Sequence, residues 1–278
     1  MTVNFSDNHS GFLNANLRTR VLSALVMAPL ALGAVWLGGW VFALVVLAAM
    51  AISFWEWLGL TAPRFTLRGR VVAFAALAFV FLVAGLVDAG LAAALSIGVA
   101  VVLAFYDGEQ GALTPRLTGN ALWVALGIPY LALSGLSLIL LRNDDSYGLA
   151  SVVYLLVVVW GTDIGGYLAG RLIGGPKLLP QISPKKTWAG LIGGMALATV
   201  LGYACERGFG FHPTLSGILL APALAVIAQA GDFFESWAKR RAGAKDSGTL
   251  IPGHGGLLDR IDGLLFAAMA LAAFSFGD

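Results

Sequence analysis

Nine stretches of this 278-residue chain are apolar over about the length that crosses a bilayer: 21–38, 41–60, 70–87, 89–106, 119–141, 149–173, 188–205, 214–238 and 259–276. A transmembrane helix needs roughly 20 such residues, within a range of about 17–25. The runs restrict the chain to one fold class, an all-α polytopic membrane protein with about nine helices. Composition agrees, because 12% of residues are charged, against about 25% in ordinary soluble domains. The first run is too long for a signal peptide. A 20-residue polar leader precedes it and another span follows at once, so it reads as an uncleaved helix. The third and fourth runs are parted by little more than Asp88 and Ala89.

Lys and Arg favour cytoplasmic loops. With the N-terminus in the cytoplasm, fifteen of the 17 basic residues fall on the cytoplasmic side, and only Arg142 and Arg207 lie opposite. This bias predicts a cytoplasmic N-terminus and a C-terminus on the other side. The net charge of +2 gives no reason to expect a nucleic-acid partner. The single cysteine, Cys205, excludes an internal disulfide and any CxxC site.

Three regions follow. Residues 1–20 form a polar tail. Residues 21–148 form a scaffold of helices with one intramembrane acid, Glu56, read as an interfacial or packing residue. Residues 149–278 carry the remaining intramembrane acids and form the catalytic region, without an internal repeat. Gly166, Gly170 and Gly174 recur every four residues, as do Gly190 and Gly194. That spacing lets membrane helices approach closely.

The chemistry concentrates in the second half. The 27 residues from Ser236 to Asp262 hold five basic residues, three carboxylates, a histidine and five glycines. Intramembrane carboxylates are costly and are functional candidates by default. The expected topology puts Asp163, Asp232, Glu235, Asp259 and Asp262 toward the cytoplasmic edge. Asp232, Glu235, Ser236 and Lys239 share one helix face, and Asp259 and Asp262 share another. Clustered carboxylates repel unless a cation joins them, and Mg²⁺ is commonly held by one or two carboxylates plus substrate phosphates. Pairing with nearby Lys and Arg, or capping of a helix start, is the structural alternative. Two basic clusters, SPKKTW from Ser183 to Trp188 and KRRAGAKD from Lys239 to Asp246, suit phosphate. The glycines of PGHGG, residues 252–256, let backbone fold around an anion just before a helix start. His254 in that loop can contact phosphate or move a proton. No P-loop or HExxH motif is present. The residues alone suggest a metal-assisted phosphate site at the cytoplasmic membrane edge.

Ser236, Lys239–Arg240, Lys245–Asp246, Gly248, Pro252, His254–Gly255–Gly256, Asp259–Arg260 and Asp262 resemble, with matching spacing, the C-terminal signature of phosphatidate cytidylyltransferases, also called CDP-diacylglycerol synthases. Asp163 with Gly166–Tyr167 and Gly170, and Ser183–Pro184 with Lys186–Thr187–Trp188 and Gly190, are similar to the same family. The resemblance covers residues 150–278 well; the first half is similar only in being hydrophobic. Ala238 and Ala189 depart from the usual pattern. The resemblance implies that CTP and phosphatidate give CDP-diacylglycerol and pyrophosphate, with Mg²⁺ required and a second cation left open. It implies Asp232 and Asp259 as leading metal ligands, with Asp163 and Asp262 as second choices. It further implies catalytic roles for Asp232, Asp259, Asp262, Lys239 and His254. Ser183, Lys186, Ser236, Arg240, Lys245, Gly255, Gly256 and Arg260 are the implied substrate contacts. The expected partners are CTP, phosphatidate and anionic membrane lipid. The expected setting is a bacterial inner membrane with the site facing the cytoplasm, and a homodimer is the expected assembly.

Two other readings stay open at this level. A CTP-dependent kinase acting on a polyprenol- or phytol-type alcohol would share CTP, metal and membrane but release CDP. A secondary transporter would put its acids near the bilayer midplane between repeats, which this pattern does not.

Overall fold

Short polar caps cut the apolar sequence into helices. The computed structural model describes residues 25–114, 119–212, 214–253 and 255–276; the polar tail at 1–20 lies outside them. Among the described residues the chain forms α1 (Leu25–Leu37) and then α2 (Gly39–Thr61), α3 (Leu67–Leu86), α4 (Ala89–Ala104), α5 (Gly119–Arg142), α6 (Gly148–Leu172), α7 (Trp188–Gly208), α8 (Leu215–Arg241) and α9 (Leu258–Phe276). Thr66, Asp88, Thr187 and Thr214 open α3, α4, α7 and α8 by accepting a backbone N–H three residues on. Each thereby satisfies a donor that the helix start would leave unpaired.

Six helices, α2, α3, α5, α6, α7 and α8, are long and apolar enough to cross a membrane. The other three explain why the expected nine spans are not equally clear. Helix α1 is short, and α4 has 16 residues. Helix α9 has 19 residues, but Asp259, Arg260 and Asp262 occupy its start. The helices nonetheless stand where the apolar runs predict them. The all-helical expectation needs one correction. Two small antiparallel hairpins interrupt it: β1 (Tyr106–Asp107) with β2 (Ala112–Leu113), and β3 (Lys177–Leu179) with β4 (Ser183–Thr187). Their strands have two to five residues, too few to show an alternating pattern.

Helix α5 is the hub. Its spanning stretch is 67% buried inside the protein, against 22% for α3 and for α7. It packs against α2, α3, α4, α6 and α9, with Ile128, Leu131 and Leu141 buried. Its last residue, Arg142, donates from Nε to the Val35 carbonyl at 2.6 Å and from Nη2 to that of Trp36 at 3.1 Å. Between α1 and α2 stands only Gly38, with φ 64°, so this guanidinium ties down a corner that an L-residue rarely makes.

Helices α6 and α7 form the closest pair. A Cβ built at Gly165 would lie 2.5 Å from the Gly193 carbonyl oxygen, one at Gly194 2.8 Å from that of Thr162, and one at Gly190 2.9 Å from that of Gly166. The expected small-residue packing is therefore present, although Gly174 is not part of it. Gly174 has φ 69° and lies just beyond α6. The glycines that touch most closely, Gly165 and Gly193, lie outside the four-residue series.

Candidate active site

Four elements converge at one end of the bundle: α6, the β3–β4 hairpin, the C-terminal third of α8 and the start of α9. The hairpin carries the first basic cluster. SPKKT is strand β4, with Ser183 opposite Leu179 and Thr187 opposite Lys177. Helix α7 starts only at Trp188. From this strand Lys186 reaches α8 and pairs with Asp232. Its ammonium also stands 4.8 Å from the centre of the Phe233 ring, a cation–π contact that holds it without neutralising it.

Helices α8 and α9 cross at glycine. A Cβ at Gly231 would lie 2.7 Å from the Asp262 carbonyl oxygen. This approach brings the Asp262 carboxyl group beside that of Asp232. Asp262 also accepts from the Gly263 N–H at 2.8 Å. On the far side of Asp232 a cavity of about 220 Å³ is lined by Asp163, Gly166, Tyr167, Lys185, Lys186 and Gln229, among others. Asp163 is exposed into it.

One to two turns further along α8, at Glu235 and Lys239, a second ion cluster is closed. Lys239 lies between Glu235, at 2.5 Å, and Asp259, at 2.6 Å. The Glu235 side chain is 0% exposed and that of Asp259 4%. The second oxygen of Asp259 accepts from the Ser247 N–H at 2.8 Å, the Ser247 hydroxyl at 3.0 Å and the Gly256 N–H at 2.8 Å. Glu235 meets Lys239 through Oε2, and its buried Oε1 has no hydrogen-bond donor among the described residues.

The loop between these helices has defined stops. Helix α8 ends in a Schellman motif: Gly243 (φ 68°) donates to Arg240 and Ala244 to Lys239. Ile251 and Gly255 then exchange backbone hydrogen bonds at 2.9 and 3.2 Å, closing a tight turn. Gly255, at φ 87°, also passes close to Asp259, where a Cβ would meet Oδ2 at 2.8 Å.

The expected site residues therefore sort by environment. Asp163, Asp232 and Lys186 line the open cavity, and Asp262 stands beside Asp232. Asp259, Lys239, Gly255 and Gly256 belong to the closed cluster. Arg240, Lys245 and Arg260 are exposed, and Arg240 donates to the Ala244 carbonyl at 3.1 Å. Ser183 and Ser236 are partly buried. His254 lies outside the described residues. The structural alternative weighed for the acids is realised in part, since Asp232 and Asp259 each pair with a lysine. Sequence reasoning missed Glu56 as a member of this assembly. Its carboxylate accepts from the Ser247 hydroxyl and from the Leu257 and Leu258 N–H groups. Nothing around WEW in the sequence signals a contact about 200 residues away.

Of the five carboxylates Asp163, Asp232, Glu235, Asp259 and Asp262, three pair with two lysines: Asp232 with Lys186, and Glu235 and Asp259 with Lys239. That imbalance and the adjacent Asp232 and Asp262 suit a hard divalent cation. Among the described residues no three carboxylates surround one point at metal-ligand spacing. An ion there would complete its shell with substrate and water oxygens, as Mg²⁺ commonly does.

The chain is similar to known proteins over most of its length. Residues 18–276 match the model of the cytidylyltransferase family. The chain is 41% identical over 267 residues to a protein of Brucella suis named phosphatidate cytidylyltransferase, covering 94% of this chain and 93% of the other. It is 37% identical over 272 residues to a protein of the same name from Pseudomonas aeruginosa, covering 92% and 96%. The protein of that name from Bacillus subtilis is 41% identical over 145 residues, about half of each chain. With the match spanning nearly the whole sequence, the chain belongs to the cytidylyltransferase family.

Proposed function

We propose that this protein is a CTP:phosphatidate cytidylyltransferase, a membrane enzyme that makes CDP-diacylglycerol and pyrophosphate for phospholipid synthesis. The observation that carries the proposal is the open cavity bounded by Lys186, Asp232 and Asp163, at the end of the bundle where the basic loops gather. A lipid phosphate and a soluble triphosphate can both reach such an edge.

In the proposed reaction an anionic oxygen of phosphatidate attacks the α-phosphorus of CTP. The new P–O bond forms as the bond to the β-phosphate oxygen breaks, and pyrophosphate leaves. Because the nucleophile is already anionic, no protein base is required. Catalysis is then positioning and charge neutralisation. Lys186 is the proposed phosphate holder, since it lines the cavity beside Asp232. Lys185 on the same strand and the exposed Arg240, Lys245 and Arg260 add positive potential at the entrance. Lys239 is already shared by two carboxylates, so its proposed part is to keep Asp259 and Glu235 at fixed separation. Asp232 and Asp259, with Asp163 and Asp262 in support, are the proposed Mg²⁺ ligands. Mg²⁺ there would offset the charge of the phosphates and the carboxylates together.

The same proposal includes nine spans, a cytoplasmic N-terminus, a C-terminus on the other side, a site facing the cytoplasm and the bacterial inner membrane as location. The Lys and Arg distribution supports the orientation. A homodimer is included on the strength of the family resemblance. The division into a scaffold over 21–148 and a catalytic region over 149–278 is likewise part of the proposal. A cysteine introduced near Gly243, at the exposed Ala242, in a Cys205→Ala background, is expected to be labelled only from the cytoplasmic side; labelling from outside would invert the topology.

The functional test is incubation of the purified protein with CTP, phosphatidate and Mg²⁺ in detergent, following the lipid product. CDP-diacylglycerol is expected. Its absence from a folded sample would defeat the proposal.

A further inference from the structure

We propose that Glu56, in the first half of the chain, is a positioning residue for the candidate active site. This rests on the reading of Asp259 as a site carboxylate. Glu56 is 5% exposed, in the C-terminal half of α2. Its Oε1 accepts from the Leu257 N–H at 2.9 Å, and its Oε2 from the Leu258 N–H at 2.8 Å and the Ser247 hydroxyl at 3.0 Å. Leu257 and Leu258 stand at the start of α9, whose first N–H groups have no partner within the helix. Glu56 therefore caps α9 from another helix, and its negative charge suits that end of the dipole. The Ser247 hydroxyl is also 3.0 Å from Asp259 Oδ2. That hydroxyl has one proton to share between the two carboxylates, but the Ser247 N–H also holds Asp259 Oδ2 at 2.8 Å, so Glu56, Ser247 and Asp259 form one continuous link from α2 to the carboxylate.

Two glycines of the loop are shaped around this carboxylate. A Cβ at Gly248 would lie 2.9 Å from Glu56 Oε1, and one at Gly256 would overlap Ser247 Oγ and Glu56 Oε2. Any larger residue at Gly256 displaces the strut. The demand for a carboxylate, not merely a polar group, is also explicit. All three contacts are donors, and a carboxylate is acceptor-only whereas an amide is half donor. A glutamine at this position turns its NH₂ toward an N–H in either orientation.

The test compares wild type, Glu56→Gln and Ser247→Ala. Residues that orient the groups directly holding a metal cost about 10–100-fold in metal affinity or activity when mutated. Glu56→Gln is expected to lower kcat, or to raise the Mg²⁺ concentration for half-maximal rate, within that range, with KM for CTP little changed. In protein without Mg²⁺, amide exchange is expected to accelerate at residues 247–258 and not in α6 or α7. A purely structural role would lower Tm but leave kcat per folded molecule and the Mg²⁺ requirement at wild-type values, and that result overturns the proposal. Should Glu56→Gln fail to fold, Ser247→Ala decides. It keeps both backbone contacts of Glu56 and removes only the hydroxyl bridge. A shift of about 10-fold, the lower end of the same range, supports the strut, and an unchanged Mg²⁺ requirement overturns it. An inactive wild type counts against the reaction. An active wild type with an equally active Glu56→Gln counts against the strut.

Discussion

Helix α8 carries two lysine–carboxylate clusters about two turns apart, and their surroundings are opposite. At Asp232 the partner lysine comes from a strand. Both side chains keep about a quarter of their surface, 23% for Lys186 and 25% for Asp232. At Lys239 the partners come from the same helix and from α9, and Lys239 retains 11%, Asp259 4% and Glu235 none. A pair that keeps exposure can exchange its partner for a substrate or an ion. A pair sealed on all sides instead fixes geometry, because separating it strands a charge. The difference assigns exchange of partners to Lys186 and Asp232, and to Lys239 the fixed placing of the Asp259 carboxylate.

The comparison is broken or sharpened most strongly at the two aspartates. Asp232→Asn is expected to abolish CDP-diacylglycerol formation while leaving the thermal transition near wild type. Asp259→Asn is expected to abolish turnover and also to destabilise. Losing one partner of a buried pair costs about 3–5 kcal/mol, although Glu235 remains to share Lys239. Thermal unfolding in detergent checks both. Equal destabilisation by the two variants would erase the distinction between the clusters.

A smaller effect is expected from Lys186→Ala. A hydrogen bond to a charged group is worth about 1.5–3 kcal/mol, so the specificity constant for the substrate it holds is expected to fall by about 10–100-fold. Steady-state kinetics with each substrate varied will show which one depends on Lys186. The smallest effect is expected from Lys245→Ala. This side chain is exposed, so a change of a few-fold in rate, reduced further at high salt, is expected because exposed charges are screened within about 10 Å at 0.1 M salt. A loss as large as that of Lys186→Ala would mean that the exposed loop closes on substrate.

The fold was legible wherever lipid imposes it. The apolar runs foretold the positions of α2 to α9 because membrane-spanning length leaves little freedom. Asp232, Asp259 and Asp262 were legible as candidates, since helical spacing and cost in lipid both single them out. Contacts between elements distant in sequence were hidden. The pairing of Lys186 with Asp232 depends on a hairpin too short to leave a pattern. The Glu56 contacts depend on α2 lying against the start of α9. Lys239 read as a phosphate ligand from its neighbours in sequence, and only packing reveals the two carboxylates that hold it. Gly165, Gly193 and Gly231 follow the same logic, because a close approach is visible only from both sides.

The central claim, transfer of a cytidylyl group to a lipid phosphate at this site, is tested most directly by following the label of CTP. The purified protein would be given phosphatidate, Mg²⁺ and CTP labelled at either the α- or the γ-phosphate. The expected result is that α-label enters the lipid and γ-label leaves as pyrophosphate. Lipid carrying γ-label, with CDP as the second product, would show a kinase and contradict it.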